Sequence, residues 1–149
     1  MIAYGEGLPV DPSLTEFAPA LPSKDLLGAD QVYLINLDRR PDRRRRMEAS
    51  FDVLGVSAVR TPAVDGKAVA DDAFLDAHGI RMMPDFVEPY HDRRYLTRGE
   101  VGCFLSHYNV WRDVLDKGYD QVIVFEDDIR FEPFFRAKVG RFDLLFWFS

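Results

Sequence analysis

The chain has 149 residues, 47% hydrophobic and 30% charged, enough apolar material for one globular domain with its own core. A net charge of −6 argues against general nucleic-acid binding, which usually leaves a basic footprint. The single cysteine, Cys103, excludes an intrachain disulfide, and no apolar run approaches the ~18 residues of a membrane span.

Residues 1–29 read as a linker. Pro9, Pro12, Pro19 and Pro22 punctuate them, and no apolar period persists. The opening ten residues lack the basic-then-apolar pattern of a secretory signal. Gln31 to Leu37 is a nearly continuous apolar run, the pattern of a strand buried on both faces. Pro41 suits the first turn of a helix, which runs to Leu54 with Met47, Phe51 and Leu54 on its core face and Gly55 as its stop. Ser57 to Val64 reads as a second strand, ended by the turn pair Asp65-Gly66. A short helix is expected over Ala70 to Ala77, closed by Gly79. Residues 80–96 form a long irregular loop of the kind that often carries function.

Thr97-Arg98-Gly99-Glu100 fits a capping box and starts a strong helix to Lys117, which Gly118 ends. Its apolar stripe comprises Val101, Phe104, Leu105, Tyr108, Trp111, Val114 and Leu115. Gln121 to Phe125 is a third buried strand, Phe131 to Lys138 a further helix, and Leu144 to Phe148 an apolar tail without a partner. The order β-α-β-α-α-β implies an α/β fold with a largely parallel sheet.

Two charged clusters carry the chemistry. Glu126-Asp127-Asp128 ends the third strand. Strand alternation puts Glu126 and Asp128 on one face and Asp127 on the other. Three adjacent carboxylates repel one another, and oxygen ligands of this kind suit Mg²⁺ or Mn²⁺ together with substrate phosphates. Open α/β sheets bind ligands beyond the carboxyl ends of their strands, where this triplet lies. The plain alternative is a solvated acidic turn. Arg39, Arg40, Arg43, Arg44, Arg45 and Arg46 crowd the start of the first helix, whose free N–H groups also favour anions. Arg43 precedes core-facing Met47 by one turn and belongs near the sheet, where its guanidinium, with Arg39, matches a diphosphate. Arg44 to Arg46 read as a solvated basic face. Asn36 either bonds a base or ribose or caps the turn after the strand, and Asp65-Gly66 either binds a nucleoside or makes a tight turn. His107 lies mid-helix beside Ser106; neighbours there point about 100° apart, so the pair is no catalytic dyad. Glu100 is explained by capping, and Cys103 by burial as a small apolar residue.

The stretches VYLINLDRRPDRRRRM, AVDGK, LTRGEVGCFLSHYNVW and VIVFEDDIRFE, in this order, resemble glycosyltransferase family 25. The segment from Arg81 to Trp111 looks most like the animal collagen-modifying branch, the procollagen galactosyltransferases and their relatives near cerebral endothelial cell adhesion molecule. The resemblance implies a GT-A-like (Rossmann-like) fold, a UDP-galactose donor, Mn²⁺ at Glu126, Asp127 and Asp128, and an inverting transfer to a hydroxyl acceptor, the hydroxylysine of collagen in the animal branch. It implies donor-site roles for Asn36, Arg39, Arg43, Asp65, Gly66, Ser106 and His107. The expected arrangement is therefore a linker over 1–29, the front part of a family 25 domain over 30–140, and an unmatched tail over 141–149. The general base is expected outside this chain. The full-length parent is expected in the lumen of the endoplasmic reticulum. The alternative is a non-catalytic, nucleotide-sugar-binding or adhesion-type relative.

Overall fold

The computed structural model describes residues 21–69, 72–77, 79–80 and 97–139. Three parallel strands form one sheet: β1 (Gln31–Asn36), β2 (Val59–Pro62) and β3 (Val122–Glu126), in the spatial order β2-β1-β3. The first strand takes the centre because both of its faces are apolar; Val32, Tyr33, Leu34, Ile35 and Asn36 are all buried. Its register sets Tyr33 opposite Val59 on one side and opposite Val124 on the other.

The two faces of β1 receive different helices. Val32 and Leu34 pack with Met47 and Phe51 of α1 (Pro41–Leu54), together with Val56 and Phe125. Tyr33 and Ile35 pack with Val110 of α3 (Arg98–Lys117). The result is a three-layer α/β/α core. A smaller cluster of Val69, Val101 and Leu105 joins α3 to the chain after β2, where a single 3₁₀ turn (Gly66–Ala68) leads towards α2 (Asp72–Ala77). The Tyr33 hydroxyl donates to Asp113 Oδ2 of α3 at 2.6 Å, and burial, then that bond, pushes its pKa up.

Local signals in the chain end these elements. Gly55 and Gly118 follow α1 and α3 in the left-handed conformation, φ 63° and 66°, and return N–H groups to the last helical carbonyls. The capping box at α3 is present in both halves: Thr97 Oγ1 accepts from the Glu100 N–H, and Glu100 accepts from the Thr97 N–H.

Several expectations need correction. The third strand runs one residue later than expected, so Glu126 belongs to the ladder, paired with Ile35. The second strand is shorter than Ser57 to Val64. The last helix, α4 (Phe135–Val139), starts four residues after Phe131. Phe131 instead joins an aromatic cluster with Phe51, Phe125 and Phe135, and Phe134, at φ 63°, turns the chain into α4. The expected apolar stripe of α3 divides in two: Val101 and Leu105 are core and Val114 packs against it, whereas Phe104, Tyr108, Trp111 and Leu115 are exposed; Val110, outside that stripe, is fully buried. The end of the segment read as a linker is docked. Asp25 bridges Val56, and Leu26 and Leu27 pack against the α1-side core. Residues 1–20, the loop 81–96 and the tail Leu144 to Phe148 lie outside the described residues. No helix among those described is long and apolar enough to cross a membrane.

Candidate functional site

A cleft of about 540 Å³ opens at the carboxyl ends of β1 and β3, bounded by the start of α1, the turn after β2 and the first half of α3. Strand ends at this edge turn away to opposite faces and leave a crevice between them. Two glycines set its depth. A Cβ on Gly102 would stand 2.6 Å from the Val64 carbonyl oxygen, and one on Gly66 would stand 2.5 Å from the Arg98 carbonyl oxygen. Their bare backbones let α3 lie against the turn after β2. Ser106 fastens the same contact. It is 2% exposed, donates to the Gly102 carbonyl at 2.6 Å and accepts from the Val64 N–H at 2.9 Å.

Beneath the cleft lies a buried polar node. Asn36 is 1% exposed; its amide donates to Asp127 Oδ2 at 2.6 Å and to the Arg40 carbonyl at 3.1 Å. Arg60 donates to Asn36 Oδ1, and Arg43 to Asp127 Oδ1 at 3.0 Å. A buried carboxylate is tolerable only when bonded and balanced in this way. Arg46 is exposed, as expected, and in addition donates to the Asp127 backbone carbonyl at 2.7 Å. It lies three residues after Arg43 and so on the same face of α1. Arg44 pairs with Glu48, one turn on, as a surface arginine does.

The three acidic residues thus have different surroundings. Glu126 points to the α3 side, where His107 Nε2 lies 3.0 Å from its Oε1. Asp127 points to the α1 side and is held by Asn36 and Arg43. The strand ends at Glu126, so alternation does not carry on to Asp128. That residue sits in a turn, its side chain 60% exposed and 3.6 Å from Arg43. Glu126 and Asp128 are the oxygen donors with solvent access; Asp127 already holds its neighbours.

Arg39, Arg43, Asp65, Gly66, Ser106 and His107 all line the cleft. Asn36 lies under it and does not line it. Arg39 Nε pairs with Asp65 Oδ2 at 2.5 Å, and this guanidinium, followed by the Lys67 N–H, holds the Asp65 carboxyl below its ordinary pKa. Asp65 also caps the 3₁₀ turn through the Lys67 N–H. Sequence reasoning missed Lys67, Arg98 and Cys103 as cleft residues. Lys67 and Arg98 make no ion pair among the described residues. Cys103, expected to be buried, is exposed to the cleft, and desolvation, then Glu126 and Asp128, pushes its thiol pKa up. Its place one turn before His107 was the available signal.

Residues 29–144 match the sequence profile described as Glycosyltransferase family 25 (LPS biosynthesis protein). The chain is 45% identical to a "Glycosyltransferase 25 family member" of Aedes aegypti over 86% of its own length and 21% of the relative. It is 43% identical to "Procollagen galactosyltransferase 1" of Danio rerio, over 88% of this chain and 21% of that one. It is 47% identical to the human "Inactive glycosyltransferase 25 family member 3", over 80% of this chain and 20% of that one. The chain spans about a fifth of the length of these curated relatives.

Proposed function

The chain belongs to glycosyltransferase family 25, and from that premise we propose that its cleft receives the diphosphate of a nucleotide sugar, as part of a site that transfers galactose from UDP-galactose to a hydroxyl acceptor such as hydroxylysine of collagen. The observation that carries this reading is the charge layout. Four basic side chains, Arg39, Arg43, Lys67 and Arg98, and two accessible carboxylates, Glu126 and Asp128, face one cleft at the carboxyl edge of a parallel sheet.

Those roles divide by chemistry. Guanidinium forks bind phosphate oxygens in pairs; Arg39 can exchange Asp65 for a phosphate, while Arg43 keeps Asp127 and offers its remaining N–H groups. Lys67 and Arg98 have no carboxylate partner among the described residues. Glu126 and Asp128 supply hard oxygen donors that fit Mn²⁺ or Mg²⁺, and the buried Asp127 fixes the turn that presents Asp128. When bound, a divalent ion neutralises charge on the leaving diphosphate. Arg39 and Arg43 would add to that stabilisation. A general base near the acceptor hydroxyl is also required, and none of the described residues is assigned that role. The name of the Danio rerio relative, a procollagen galactosyltransferase, supports a collagen acceptor and so a secretory-pathway setting; the endoplasmic reticulum lumen for the full-length protein is part of the same proposal.

Isothermal titration of UDP into the folded chain tests the donor site. Binding is expected with Mn²⁺ present, absent in chelator, and lost in Asp128→Ala. Equal affinity with and without the ion would overturn the metal assignment. No binding by a folded chain would overturn the donor site in this segment.

A second reading is binding without transfer, favoured by the 47% identity to a human relative named inactive. Transfer by the full-length protein to a collagen peptide, lost in Asp128→Ala, would decide for the enzyme; donor binding with no transfer would decide for the binder.

A further inference from the structure

Cys103 and His107 stand one turn apart on the cleft face of α3, and Glu126 meets them from the end of β3. One ligand atom from each, the thiol sulfur, an imidazole nitrogen and a carboxylate oxygen, lies within 4.8 Å of the other two. Tetrahedral zinc sites place sulfur at about 2.3 Å and nitrogen or oxygen at about 2.0–2.2 Å from the ion, so ligand atoms lie roughly 3.3–3.8 Å apart. Small side-chain rotations close the present spacing to that value. Two ligands at i and i+4 on one rigid helix lower the ordering cost, and Cys103 is already exposed to the cleft.

We propose that Cys103, His107 and Glu126 form a three-ligand site for a thiophilic divalent cation of the Zn²⁺ type, distinct in chemistry from an oxygen-only site for Mn²⁺ or Mg²⁺. Sulfur with imidazole selects zinc and its neighbours, whereas magnesium and manganese are held by carboxylate, carbonyl and water. Three protein ligands leave a fourth position open to the cleft, for water or an anionic oxygen. Binding releases the thiol proton to solvent and forms a metal–sulfur bond with no change of oxidation state. Occupancy draws Glu126 away from the hard-ion donors, so the two classes of ion compete through one shared carboxylate. The zinc site itself does not rest on the nucleotide-sugar reading.

Cobalt(II) substitution tests it without any activity assay. Cys103 is the one cysteine in the sequence, so a thiolate-to-cobalt charge-transfer band in the near ultraviolet reports that residue alone. The expected result is a saturable band at one ion per chain, displaced by Zn²⁺, lost in Cys103→Ser and shifted to at least about tenfold weaker affinity in His107→Ala and Glu126→Gln, because even groups that only orient a ligand are worth that much. Circular dichroism of each variant confirms folding. Absence of the band, unchanged affinity in folded His107→Ala or Glu126→Gln, or one ion per two chains, as for a cysteine-bridged dimer, would each overturn the proposal.

Discussion

Asp127 and Asp128 are neighbours with the same side chain and opposite duties. Asp127 is 7% exposed and tied to Asn36 and Arg43; Asp128 opens to the cleft. Asp127→Ala leaves the buried Asn36 amide with the Arg40 carbonyl but without its second acceptor, and urea unfolding should show a loss of about 1–3 kcal/mol. Asp128→Ala should change stability by no more than about 0.5 kcal/mol while removing ion-dependent UDP binding. Equal destabilisation by both would contradict this division. Acid should also weaken the fold. Arg39 holds the Asp65 carboxyl low, and Lys117, then Tyr33, holds Asp113 low. A carboxyl depressed in the folded state contributes stability above its unfolded value, about 3.9, and loses it as pH falls through the folded value. The urea midpoint should therefore drop below about pH 4, and drop less in Asp113→Asn.

Among the elements, the pairing of α3 with the turn after β2 decides the shape of the cleft. Gly102→Ala would push a methyl into the Val64 carbonyl, and overpacking of this kind costs about 1–3 kcal/mol. Thermal unfolding should show that loss, despite alanine's better helix propensity; a stabilised variant would show that α3 can move aside. The limits of α1 and α3 were legible because capping chemistry is local: Pro41, Gly55, the Thr97 and Glu100 box, and Gly118 act within a few residues. The steric role of Gly102 was not legible, since its contact is 38 residues away in sequence at Val64. The same limit explains Arg46 and Cys103. Helical periodicity gives an angle about the axis, but it does not say which neighbouring element stands at that angle. The start of α4 was missed because Phe131 found tertiary partners that outweigh helix propensity.

Over the whole molecule, α3 is apolar on two faces. Phe104, Tyr108, Trp111 and Leu115 are between 43% and 78% exposed, and the Phe104 ring stacks on Tyr108 and meets Trp111 edge-on. Such a patch promotes association. Light scattering should show concentration-dependent self-association of the chain, reduced in Trp111→Glu with little change in melting temperature. Unchanged scattering would show that this face is not responsible.

The hydrogen bond from Asn36 to Asp127 joins residues 91 apart in sequence. A central strand flanked on one side by the last strand of the sheet cannot complete its ladder until nearly all of the described chain has been made. During synthesis β1 therefore waits with one edge open while β2 pairs first. Loop closure over such a span makes the final pairing slow relative to local helix formation. The acidic turn is correctly presented only after that step, so ion binding at the cleft would mark the end of folding, and a ribosome-bound chain lacking Val122 to Asp128 would hold its helices but no site.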